Sequence, residues 1–222
     1  LRSFAGVAAA ANGTRALDAA DSALQRPFPM KSRLLAGLVA LSLAAPAFAQ
    51  SATSPSLLGK RYVEGFASYT NYNHYPADFG FGATVNTPLC ASFDVGSTFF
   101  HSRQEGDASH HYEMLDAHLA AHRDLGPVRA FARATLGYEW WSVENLTWYR
   151  LDAGAERALT ERLLISAHVS WQDFFSSDVL EGRFSVTSKA TFWVTSSVAV
   201  SLSGAYIETG DLATRLGLAF VF

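Results

Sequence analysis

Alternation constrains this chain more than any other feature. From residue 61 to residue 222, successive segments place apolar and polar side chains on opposite faces with a period of two, and turn residues interrupt the pattern about every ten positions. No part of this region carries a convincing helical periodicity. One face of each segment is apolar and uncharged. Examples are Val63, Ala67 and Tyr69 in the first segment, Phe79, Phe81 and Val85 in the second, Leu115 and Leu119 in the fourth, and Leu212, Leu216 and Leu218 in the last. The opposite faces carry Glu64, Asp94, Asp116, Arg129, Arg133, Glu139, Arg150, Asp152, Glu156, Arg183, Lys189 and Arg215. An Arg or Lys facing lipid at the bilayer midplane costs roughly 2–4 kcal/mol, so a barrel in lipid demands this segregation. A soluble sandwich or lipocalin would show the same alternation turned inside out. Alternation alone does not say which face is inside.

The two ends of the sequence decide. In Asp211–Phe222 the apolar face runs to Phe220 and Phe222 with no polar tail to fray into water. This segment resembles the C-terminal strand of bacterial outer-membrane β-barrels. The resemblance implies that Phe220 and Phe222 form the signal read by the barrel-assembly machinery, with periplasmic chaperones as escorts. Near the other end, Met30–Arg33 is basic, Leu34–Pro46 is an apolar run rich in Leu and Ala, and Ala47-Phe48-Ala49 is an A-x-A site. These are the three parts of a secretory signal peptide cleaved before Gln50. The apolar run is shorter than the ~20 residues of a spanning helix, and no Cys follows the cleavage site to take a lipid anchor. Residues 1–29 are Ala-rich and patternless, as in an over-extended start or a disordered leader. The expected order is an upstream extension at 1–29, a signal peptide at 30–49, a periplasmic segment at 50–60 and a transmembrane barrel at 61–222.

Charge and cysteine content narrow the partners. Five of the 17 basic residues and two of the 20 acidic ones precede Gln50, which leaves 12 against 18, a net of −6 for the exported part. A nucleic-acid partner would want a basic patch instead. Cys90 is the single cysteine, so no internal disulfide forms, and no metal-ligand spacing surrounds it. His101, His110 and His111, with Glu105 and Asp107, are placed in or beside a loop at Ser102–His110, but their spacing matches no defined metal site. No metal and no cofactor is expected.

The fold class expected is all-β: a closed antiparallel up-and-down transmembrane barrel of about ten strands, with eight as the alternative. The least regular segment is the eighth, because Leu180–Ala190 is mostly polar. Tight turns are expected at Asn86-Thr87-Pro88, Asp124–Pro127, Leu159-Thr160-Glu161 and Trp193–Ser196. Longer connections are expected at Asn73–Ala77, Ser102–His110, Ser142–Asn145, Ser176–Val179 and Glu208–Gly210. An even strand count puts the first set in the periplasm and the second at the cell surface. Tyr69, Tyr72, Phe99, Tyr112, Tyr138, Trp140, Trp148, Tyr149, Trp171 and Tyr206 then gather near the outer rim, and Phe192, Trp193, Phe220 and Phe222 near the inner one, as two aromatic girdles.

Two lumen states fit the sequence. Balanced acids and bases favour a plug of paired side chains. Small inward residues (Gly80, Gly82, Gly96, Gly137, Gly154, Ser166, Ser170, Ser201, Ser203 and Gly217) leave room for a narrow water path. The leading function is therefore non-enzymatic: an envelope-structural barrel or a narrow porin passing small polar solutes, monomeric in the outer membrane. The alternative is a surface binding or adhesion module acting through its loops, against which the short loops count. The third is a lipid-acting barrel enzyme. His118, His168, Ser166 and Ser170 face inward with Asp116 and Asp152 and could furnish a Ser–His–carboxylate set. Members of the omptin protease family need taller extracellular walls. The lipid A deacylase family places its triad on the lipid face, where no histidine is expected here.

Overall fold

The computed structural model describes residues 55–141, 145–175 and 182–222. The expected extension and signal peptide lie outside them, as do most of the Ser142–Asn145 connection and the whole of Ser176–Val179. Ten strands follow one another: β1 (Tyr62–Asn71), β2 (Asp78–Cys90), β3 (Phe93–Gln104), β4 (Asp107–Leu125), β5 (Val128–Trp141), β6 (Asn145–Ala158), β7 (Leu163–Phe174), β8 (Arg183–Trp193), β9 (Val198–Ile207) and β10 (Leu212–Val221). Each pairs antiparallel with the next, and β1 pairs with β10 from Tyr62↔Val221 to Asn71↔Leu212, which closes the barrel. The eighth segment, the least regular in sequence, is a full strand in register with both neighbours. The strand count is ten.

Closure leaves no edge strand, so every spanning backbone group finds its partner within the wall, the condition a bilayer imposes. The exterior is apolar throughout its middle. Leu115, Leu119, Leu136, Leu151, Val169, Leu202, Leu216 and Leu218 are all exposed. A water-soluble monomer rarely exposes an apolar patch beyond a few hundred Å², and this one encircles the molecule. On β4, Glu113 and Arg123 share the outward face with Leu115 and Leu119 and bracket them. At ~3.4 Å per residue on a strand tilted ~45°, the bracketed band stands about 24 Å tall, which matches the ~25 Å apolar band of a membrane barrel.

Several turns lie elsewhere than the sequence suggests. Asn86-Thr87-Pro88 is strand, not turn: β2 runs on to Cys90, and Ala91-Ser92 makes the connection. Pro88 lies beyond Asn86, the last β2 residue paired with β1, so its missing N–H breaks no bond on that side. The Ser102–His110 loop shrinks to Glu105-Gly106, where Gly106 takes φ 81°, a conformation that favours glycine. His101 and His111 are therefore strand residues near the rim. Both face outward, so the outer face does carry histidine. His101 Nδ1 lies 3.3 Å from Glu113 Oε1 and its ring packs 5.2 Å from that of Phe81. The side chain of His110 is outside those described. Strand also extends through Leu125 and Trp193 into the turns expected at Asp124–Pro127 and Trp193–Ser196.

Candidate functional site

Strand phase brings all twelve charged residues singled out from the sequence to the inner wall. They sort into three levels. At the middle, Arg133 Nε donates to Asp152 Oδ2 over 2.6 Å, and Arg150 Nε stands 3.2 Å from Asp152 Oδ1. The Ser170 hydroxyl also serves Asp152. Across the lumen, Lys189 Nζ donates to both oxygens of Glu64, at 2.9 and 3.2 Å, and Ser201 Oγ donates to Glu64 Oε1 over 2.6 Å. Asp116 accepts the Thr98 N–H at 3.0 Å and lies 3.7 Å from His118 Nδ1. Arg215 stacks on Phe66, 3.9 Å from the ring centroid, and is exposed although it faces the lumen. Asp152 is 1% exposed, but Arg133 and Arg150 are 29% and 28% exposed. The cations reach interior space while the carboxylates lie in the wall.

Towards the end where β1 finishes and β2 begins, the lumen turns aromatic. Phe66 stacks on Phe100 at 5.9 Å, and Phe100 meets Tyr112 edge-on at 5.5 Å. Trp148 is fully buried among Leu146, Phe174 and Met114. Arg150 lies over Trp148 and Arg183 over Phe174, at 5.5 and 5.4 Å. Glu139 lines the same level and is buried. Tyr112 and Trp148 thus stand inside the barrel rather than in the outer girdle. Tyr112 shares a strand face with Asp116 and His118, and Trp148 with Arg150 and Asp152. Tyr69, Phe99, Tyr138, Trp140, Tyr149, Trp171 and Tyr206 keep the outward phase expected of a girdle.

The inward glycines do not leave open space. A Cβ on Gly82 would collide with the Phe66 ring, on Gly80 with Phe100, on Gly96 with His118, on Gly137 with Trp148, on Gly154 with His168 and on Gly217 with Glu64. Gly80, Gly82, Gly96 and Gly137 each give room to a neighbour's ring, and Gly154 and Gly217 to a close approach of His168 and of the Glu64 carboxylate. His168 also meets Phe131 edge-on at 5.9 Å. Ser170 is hydrogen-bonded to Asp152 rather than to a histidine. Among the described residues, no three His, Cys, Asp or Glu side chains are grouped to hold a metal ion.

The level at the opposite end holds a feature that charge patterning did not reveal. Residues 55–60, ahead of β1, fold into the barrel mouth as a strap. Asp94 is fully buried and accepts the Gly59 N–H at 2.9 Å, with His122 Nε2 3.5 Å away. Arg129 grips Asp124 through two bonds of 2.6 and 3.1 Å and sends a third, 3.0 Å, to the Leu58 carbonyl. Asn86 Nδ2 donates to the Lys60 carbonyl at 3.1 Å, and the Trp193 indole N–H donates to the Pro55 carbonyl. Ser56 bonds Glu156, and Leu57 packs with Trp193, Ala199 and Ala219. Lys60 Nζ lies 4.3 Å from the centre of the Trp193 ring. Its burial and, next, the nearby Arg129 hold its pKa below the usual 10.5, with Glu156 opposing. Trp193, expected in the inner girdle, is instead the floor of the strap.

No known protein family's sequence model matches the chain, and no curated protein matches it. Solved structures similar in fold include a KdgM porin in complex with disordered oligogalacturonate, at 8% identity and TM-score 0.45, covering 72% of this chain and 99% of that one. A NanC porin is similar at 7% identity and TM-score 0.44, covering 71% and 98%. The β domain of the Bordetella autotransporter BrkA is similar at 10% identity and TM-score 0.47, covering 74% and 99%. At that distance the similarity carries no argument about activity, which rests on this chain's own geometry. What the molecule itself displays is an all-β, closed, ten-stranded antiparallel barrel with an apolar exterior and a charged lumen.

Proposed function

We propose that the chain is a non-enzymatic, monomeric outer-membrane barrel that passes small polar solutes along a narrow, charge-lined lumen. The observation that carries this reading is Arg215, exposed to interior space at the level where Glu64, Lys189, Arg133, Asp152 and Arg150 face one another. Side chains that merely filled a plug would be sealed, whereas Arg215 is exposed and Arg133 and Arg150 are partly so. The end where β1 begins and β10 finishes is assigned to the periplasm, following the even strand count. The apolar belt places the wall in lipid, and a closed wall needs no partner copy to cover an edge.

The middle level holds four cations, Arg133, Arg150, Lys189 and Arg215, against three carboxylates, Glu64, Asp116 and Asp152, and this excess of positive charge favours small anions over cations. Single-channel recording of the refolded protein in a planar bilayer tests this. Small, discrete steps with mild anion preference are expected, and Arg215→Glu should reverse that preference. A barrel shown to be folded by heat-modifiable gel migration, yet silent in every form, would leave an envelope-structural role in its place.

A further inference from the structure

We infer that the strap, Pro55–Lys60, is a gate seated in the periplasmic mouth of the lumen. The inference rests on the conducting reading above and adds where the path is closed. Seven wall strands hold these six residues: β2 through Asn86, β3 through Asp94, β5 through Arg129, β6 through Glu156, β8 through Trp193, and β9 and β10 through Ala199 and Ala219 in the Leu57 cluster. A segment tied to strands around most of the circumference lies across the opening rather than along one side. Ser56 is wholly buried and Leu57 nearly so.

The manner of holding suits release. The bonds to the strap are mostly single hydrogen bonds to its backbone, each worth about 0.5–1.5 kcal/mol net. The one apolar anchor is Leu57. Arg129, which grips Leu58, keeps its two bonds to Asp124 if the strap leaves. Gly59 is the pivot: its φ of 79° lets its N–H reach Asp94 while Leu58 and Lys60 turn their carbonyls to Arg129 and Asn86. The strap therefore undocks without unfolding a strand.

The test compares the refolded protein with Gly59→Val and with a deletion of Pro55–Lys60. A β-branched residue at positive φ strains the docked strap alone and shifts its docked-to-free ratio by about tenfold. Open fraction in single-channel records is expected to rise by about that factor in Gly59→Val, and the deletion should stay open with a larger unit conductance. Heat-modifiable migration reports folding of each form, and Gly59→Val leaves every wall residue intact should the deletion fail to fold. If all folded forms conduct equally, the gate is overturned while the porin reading stands. If none conducts, both fall.

Discussion

Leu216 lies on β10 midway along the outward face that runs from Leu212 to Phe220, paired with Ala67 of β1 and Leu202 of β9, and it is 57% exposed. Leu216→Arg separates the two ways of reading an exposed leucine. In water, an exposed Leu→Arg change away from special features stays within about 0.5 kcal/mol. In lipid, an Arg at the midplane of a barrel wall costs roughly 2–4 kcal/mol, while one near the interface costs only about 0–1. Leu212, at the end of the same face, is the internal control. The unfolding constant of Leu216→Arg should therefore rise by about 30- to 1,000-fold over the parent, and that of Leu212→Arg by less than about tenfold. Guanidinium titration of the protein inserted in phosphatidylcholine vesicles, followed by tryptophan fluorescence, reads both. Equal effects at the two positions, or none at either, would refute the assignment of this face to lipid.

Three further outcomes follow from the lumen. Asp152→Asn removes the charge that faces both Arg133 and Arg150. Losing one partner of a buried pair costs ~3–5 kcal/mol, but both guanidinia reach interior space, so about 1–3 kcal/mol is expected from the same titration; an unchanged midpoint would mean the network contributes nothing. Gly137→Val drives a side chain into the Trp148 ring, which is fully buried. A loss of about 1–3 kcal/mol and an altered near-ultraviolet tryptophan signal are expected, whereas a native spectrum would contradict the packing. Lys60, with its folded pKa below 10.5, binds fewer protons docked than free between those two values, so docking tightens as pH rises through that window. Protection of the Gly59 amide, corrected for intrinsic exchange, should rise as pH climbs towards 10.5 and flatten in Lys60→Met; falling protection would reverse the sign.

How much of this was legible in the sequence depends on range. Strand phase is local, so Leu216 could be placed outward and Glu64 inward from their neighbours alone, and β8 emerged despite its polar character because barrel closure needs only alternation. Turn positions were less legible. Pro88 reads as a turn residue until the shorter β1 is seen to leave its N–H side unpaired. Tyr112 shares its parity with Asp116 and Trp148 with Arg150, which fixes both inward, although their place at the rim is that of a girdle aromatic. Which side chain covers which glycine is a cross-strand fact: Trp148 over Gly137 and Phe66 over Gly82 depend on register, which alternation does not encode. The strap was invisible for the same reason, since Asp94, Arg129 and Trp193 are far from Pro55–Lys60 in sequence. One hint existed in Gly59, a glycine just ahead of the first strand, which takes φ 79° in the turn closed by the Lys60 N–H on the Leu57 carbonyl.

The central claim is that lipid lies outside this barrel and water inside it. Two adjacent positions on β9 test it: Leu202 faces out and Ser203 faces in beside Arg215. With Cys90 replaced by serine, Leu202→Cys and Ser203→Cys would be inserted separately in vesicles and exposed to a charged, membrane-impermeant methanethiosulfonate. Ser203→Cys is expected to react and Leu202→Cys to stay protected until detergent is added. Reaction at Leu202→Cys with protection at Ser203→Cys would turn the barrel inside out and contradict that claim.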